Sequence, residues 1–159
     1  MVVLNGYPDA TQDGRQSQAA SEICRGVARL LKSHGLAAVC EVTLANGRRA
    51  DVVGLSAHGD IWIVEIKSCL IDFQTDGKWQ EYLDFCDRLY FAVSPDFPHE
   101  VLPQQAGLAL ADRYGAEFLR EPVEERLGAA RRKAMMLNFA RAAALRLQRH
   151  LDPGCGFEI

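Results

Sequence analysis

The stretch that most constrains this chain is Ile61–Cys69, IWIVEIKSC, a run apolar enough for a buried β-strand that nevertheless carries a glutamate and a lysine. Side chains alternate faces along a strand, so Glu65 and Lys67 point the same way and Ile66 points away. Leaving either charge unpaired in an apolar layer costs on the order of several kcal/mol. The fold must therefore bring a compensating group to that face.

The neighbouring sequence says where that group comes from. Apolar residues at three- and four-residue spacing (Ile23, Val27, Leu30, Leu31) predict a helix over Gln16–His34, with Ser17 or Ser21 as its cap and Gly35 as its stop. The period then shortens to that of strands. Leu36–Leu44 and Arg48–Leu55 flank Asn46-Gly47, a strong hairpin signal, and His58-Gly59-Asp60 turns the chain into Ile61–Cys69. A looser segment, 72–77, precedes an expected helix over 78–87, and Leu89–Val93 reads as a short interior strand. Beyond Pro95 and Pro98, the segments 108–111 and 116–119 form a hairpin around Tyr114-Gly115.

The last expected element is a basic amphipathic helix over 124–151. Met136, Phe139, Ala140, Ala143, Leu147 and Leu151 trace one face, with Arg131, Arg146 and Arg149 on the other. Residues 1–14 read as an irregular arm. No repeat or linker interrupts the chain, so residues 1–159 are expected to form one α/β domain.

Composition removes several function classes. The five cysteines are odd in number and scattered without metal-ligand spacing, so they read as buried reduced thiols of a cytoplasmic protein, and the four histidines share no zinc pattern. The N-terminus lacks the layout of a secretion signal, and no apolar run approaches the roughly 20 residues of a membrane span. There is no phosphate-binding GxxxxGK[ST] loop, dinucleotide-binding GxGxxG or nucleophile elbow. A net charge of −3 argues against a polycation that coats nucleic acid. Yet Arg126–His150 contains seven Lys or Arg residues and no acid, so a nucleic-acid contact would be a local patch.

Asp51, in RRADVVGL, lies on the strand that should pair with Ile61–Cys69. If it shares the face of Glu65, two carboxylates and one ammonium converge. With the backbone carbonyl of Ile66 and waters they suit octahedral Mg²⁺ (or Mn²⁺), and Lys67 could orient a water or stabilise charge on a phosphodiester. Glu-x-Lys alone is a common triplet, and on an exposed edge strand it is merely a solvated pair. Its placement inside the most apolar strand, one turn after an acid-bearing strand, is what makes it informative.

The order helix, three-strand meander with Asp51 then Glu65-x-Lys67, helix with Gln80, and interior strand resembles the PD-(D/E)xK nuclease superfamily with its restriction-endonuclease-like fold. More narrowly, residues 16–121 resemble the MmcB-like bacterial DNA repair proteins. The resemblance implies a central mixed sheet (αβββαβ core) flanked by helices, with a C-terminal helix. It implies a metal-dependent DNA endonuclease in which Asp51 and Glu65 bind Mg²⁺ and Lys67 is the catalytic lysine. Gln80 matches a polar helper on the following helix, and Glu22 an outer or second-metal ligand. Gln80 also fits an ordinary surface residue, and Glu22 a carboxylate favouring its helix dipole. Ala50 stands where the motif has proline, a variable position that supplies no ligand.

DNA is the expected partner, with Arg48, Arg49, Lys78, Arg131, Arg146 and Arg149 as candidate contacts. Trp62 and Trp79 could stack on an unpaired base, though Trp62 reads more readily as core. Two other readings stay open: a non-cleaving DNA-binding subunit of a repair complex, and a homodimeric resolvase of branched DNA.

Overall fold

The computed structural model describes residues 17–154. The expected N-terminal arm and Cys155 lie outside that range. Helix α1 spans Gln18–Ser33, and the Ser17 hydroxyl accepts the Ala20 amide at 3.2 Å, the side-chain cap expected of serine at this position. Strands β1 (Leu36–Thr43), β2 (Arg49–Ser56) and β3 (Ile61–Lys67) form the expected antiparallel meander. Strand β4 (Arg88–Val93) then pairs parallel to β3. Strand β5 (Gly107–Ala111) pairs parallel to β4, and β6 (Ala116–Arg120) closes the sheet as a hairpin with β5. The result is one six-stranded mixed sheet in the order β1-β2-β3-β4-β5-β6.

Each face of the sheet carries its own core. Val52, Val64, Ile66, Tyr90 and Ala109 pack under Ile23, Val27 and Leu31 of α1. Val53, Ile61, Ile63, Leu89, Phe91 and Val93 form the other layer, closed by Trp79, Tyr82, Met135 and Phe139. The even residues of β3 thus face α1 and the odd ones face away, which fixes the side from which Glu65 and Lys67 project. Helix α1 lies close on the β5–β6 hairpin because Gly26 has no side chain: a Cβ there would stand 2.2 Å from the Asp112 carbonyl oxygen.

Three expectations change. The segment expected to be loose contains a short helix, α2 (Leu70–Thr75), and the expected helix over 78–87 is a 3-10 helix, Trp79–Phe85. The C-terminal helix, α3, begins at Ala129 rather than 124. Residues before it form no helix, their amides being used elsewhere: Val123 N–H donates to the Gln105 carbonyl, and Leu127 N–H to the Asp87 carboxylate. The packed face of α3 also differs. Met135 and Phe139 are its buried residues, while Leu147 and Leu151 are exposed and Arg146 turns towards the sheet. Helical spacing alone left Arg146 on the solvent side; two backbone carbonyls at β1 draw it in.

No helix among the described residues is long and apolar enough to cross a membrane. The thiols are less uniformly buried than their neighbours in sequence suggested. Cys86 is buried, Cys24 and Cys40 are half-buried, and Cys69 is exposed.

Candidate active site

The strand pair β2–β3 is laddered as far as Val52 opposite Val64, and Asp51 and Glu65 stand next, where the ladder stops. There, side chains replace the missing backbone bonds. The Asp51 amide donates to Glu65 Oε1 at 3.0 Å, and the Ile66 amide donates to Asp51 Oδ2 at 2.7 Å. Each carboxylate is therefore tied to the other strand's backbone, and both line the same cavity.

A break in β1 accompanies this arrangement. Glu41 holds a left-handed backbone (φ 52°), a conformation that non-glycine residues take only where surrounding contacts impose it. Across from it, Ala50 packs with the layer of Trp79 and Phe139, while Val52, two residues on, packs under α1. Regular alternation would put both on one face, so Asp51 sits where the strand changes face. Arg146 donates to the carbonyls of Cys40 and Glu41 and secures this bend from α3. The Glu41 carboxylate meets Arg49 at 3.6 Å.

Burial dominates the electrostatics. Glu65 is 2 % and Lys67 6 % exposed. Burial pushes the Asp51 carboxyl up to about 6, against the opposing pull of the Ile66 amide and Lys67. Burial and then repulsion from Asp51 push Glu65 up to about 8. Lys67 Nζ also pairs with Asp76 Oδ2 at 2.7 Å, and Asp76 Oδ1 takes Arg48 at 2.8 Å. Burial alone would raise the Asp76 carboxyl, but Lys67 and Arg48 together hold it below its ordinary value.

These groups line an open cavity of roughly 370 Å³, with Arg49, Ser68, Asp72 and Tyr82 on its walls and Ser17 and Ala20 of α1 at its edge. Tyr82 reaches in from the 3-10 helix. Its hydroxyl donates to the Arg49 carbonyl at 3.2 Å.

The structure brings Asp51, Glu65, Ile66 and Lys67 together and leaves two proposed helpers apart. Gln80 is exposed and absent from the cavity wall, and Glu22, half-buried, accepts from Gln18 on its own helix. Among the candidate DNA contacts, Arg49 lines the cavity, while Lys78 and Arg149 are exposed. Arg48 turns inward to Asp76 and the Tyr82 ring, Arg131 pairs with Asp84, and Arg146 is committed to the β1 carbonyls. Trp79 is buried; Trp62 is half-buried, with Arg88 over its ring. Sequence reasoning missed Asp76 and Tyr82. The available signal was an acid nine residues after Lys67 and an aromatic residue one 3-10 turn after Trp79.

The donor set suits a hard cation. Two adjacent carboxylates, both raised by burial, gain from a divalent positive charge, and every available donor is oxygen. Among the described residues, no group of three acidic, histidine or cysteine side chains forms a cage, so backbone and water oxygens would complete the shell.

A six-stranded mixed sheet flanked by helices, with an acid-bearing meander leading into a parallel strand, is consistent with a restriction-endonuclease-like fold. The family model described as MmcB-like, DNA repair protein MmcB-like, matches residues 7–154, and the chain belongs to that family. A solved structure titled "SPO1766 protein of unknown function from Silicibacter pomeroyi" is 48% identical, with a TM-score of 0.86 over 90% of this chain and 99% of that one. No curated protein matches.

Proposed function

We propose that this chain is a Mg²⁺- or Mn²⁺-dependent deoxyribonuclease of the PD-(D/E)xK type that acts in DNA repair. The observation that carries the reading is the Asp51–Glu65 carboxylate pair, bridged through backbone amides at 3.0 and 2.7 Å, with Lys67 on the same strand face at the wall of an open cavity. Asp51, Glu65 and the Ile66 carbonyl would hold the cation. A hard divalent ion supplies Lewis acidity and charge neutralisation for phosphodiester hydrolysis.

The residues of the chain do the rest. The Ile66 amide keeps Asp51 in place and the Asp51 amide holds Glu65, while Tyr82 ties the 3-10 helix to the Arg49 carbonyl at the cavity wall. Lys67 presents its ammonium to the cavity, where it orients the attacking water or balances charge on the phosphoryl oxygens. Asp76 fixes the position of that ammonium. Arg49 and the exposed Lys78 neutralise backbone phosphates beside the cavity. DNA repair as the setting follows from the family.

One observation favours a second reading, a non-cleaving DNA-binding subunit: Lys67 is already engaged by a carboxylate. Nicking assays on supercoiled, linear, single-stranded and branched DNA with Mg²⁺ or Mn²⁺ separate the two. Cleavage lost in Lys67→Ala and Asp51→Asn supports the nuclease. DNA binding without cleavage under either metal selects the accessory role, and cleavage unchanged by both substitutions removes the site assignment.

A further inference from the structure

Behind the bend that aims Asp51 lie two thiols with no part in the proposed chemistry. Cys24 on α1 and Cys40 on β1 place their Sγ atoms 3.0 Å apart, and both side chains are half-buried. We infer that Cys24 and Cys40 are a modification site, at which a peroxide-class oxidant closes an intramolecular disulfide between α1 and β1. The inference rests on the thiol geometry and is independent of whether the chain cleaves DNA.

Several features separate this pair from the other described thiols. The two sulfurs already touch and need only shorten their contact, and each is carried by a regular element rather than a loop. Arg146 holds the Cys40 carbonyl, which limits drift of that strand. The two thiols share one hydrogen bond; the contact with Cys24 and the charge of Arg146 favour thiolate character on Cys40, while the same contact and burial hold Cys24 protonated. Cys86, by contrast, is buried with its thiol directed at the Tyr82 carbonyl, and Cys69 is exposed.

In the step itself the Cys40 sulfur attacks one peroxide oxygen and the O–O bond breaks. This leaves a sulfenic acid on Cys40 and releases the other oxygen as water. The Cys24 sulfur then attacks the Cys40 sulfur, the S–O bond breaks, and a second water leaves with the Cys24 proton. Two thiols lose two electrons in all, and one hydrogen peroxide gains them. The product ties the helix whose first turn edges the cavity to the strand whose bend sets Asp51.

The test uses the full reduced chain, treated with limiting hydrogen peroxide and digested with trypsin without reduction. The expected product links the peptide 16–25 to the peptide 33–48, lighter by two hydrogens than the pair, with two of the five thiols lost. It forms at lower peroxide than is needed to oxidise Cys69, and Cys24→Ser instead leaves a dimedone-reactive sulfenic acid on Cys40. Recovery of both Cys24 and Cys40 as iodoacetamide adducts after Cys69 has been oxidised would overturn the inference.

Discussion

Asp51 and Glu65 hold each other through the main chain: the amide of one residue binds the carboxylate of the other at 3.0 Å, and the Ile66 amide returns the contact at 2.7 Å. Strand and site are thus the same object, because the carboxylates satisfy backbone donors that the ended ladder leaves over. Neutral isosteres keep these acceptors and lose only the charge. Asp51→Asn and Glu65→Gln are each expected to lower metal-dependent cleavage by at least about 100-fold. Neither should destabilise the metal-free chain, and thermal unfolding in chelator checks this. A loss of more than about 2 kcal/mol there would mean that the ionised carboxylates are structural.

The same burial gives stability an unusual pH dependence. Asp51 rises from 3.8 to about 6 and Glu65 from 4.5 to about 8. The folded chain therefore holds more protons than the unfolded chain in that window, and stability falls as pH rises through it. Below the ordinary carboxylate range both states are protonated and the penalty is absent. Urea titrations of metal-free protein from roughly pH 5 to 8 should show a declining midpoint. Glu65→Gln should flatten the decline, as should saturating Mg²⁺, which favours the ionised pair. A slope that persists in Glu65→Gln would place its origin elsewhere.

Lys67 and Asp76 form the second coupled pair, at 2.7 Å with both side chains largely buried. Asp76→Asn leaves the lysine charge with a weak partner and should cost about 2–3 kcal/mol. Lys67→Met in that background should recover most of the loss, since it removes the stranded charge. Denaturant midpoints of the two single variants and the double variant form the cycle. Additive effects would show that the pair is not coupled.

Much of this arrangement is legible in the sequence, for identifiable reasons. The two-residue period of a strand put Glu65 and Lys67 on one face, and Asn46-Gly47 and His58-Gly59 fixed the meander that brings Asp51 across from them. Gln80 stands exposed and off the cavity wall because Trp79–Phe85 is a 3-10 helix, whose three-residue turn presents Trp79 and Tyr82 to the core instead. Arg146 was misread because helical periodicity reports apolar faces and cannot see a guanidinium that reaches a distant carbonyl. Asp76 was invisible for a similar reason: its role depends on a lysine from another element. The face change at Glu41 and Asp51 left no periodic trace at all, since it depends on one left-handed residue in the middle of an otherwise regular strand.

Asp87 is the buried anion that anchors α3, and it offers the sharpest stability test. Arg132 meets it with two nitrogens at 2.7 and 2.8 Å, and the Ile61 and Leu127 amides each donate to it at 2.8 Å. Burial would raise this carboxyl, but Arg132 and the two amides hold it at about 2. A carboxyl depressed in the folded state adds stability above its unfolded value near 3.8, and that contribution is lost as pH falls towards 2. Arg132→Met strands the buried charge and should cost about 3–5 kcal/mol. It should also move acid unfolding to higher pH, because the carboxyl then protonates earlier. The double variant Asp87→Asn, Arg132→Met should regain a large part of the loss, with the asparagine carbonyl still accepting from an amide. Chemical denaturation at neutral pH and acid titration by circular dichroism measure both effects. If Arg132→Met changes neither, α3 is held by the packing of Met135 and Phe139 and by the bonds of Asn138 and Arg146 to β1.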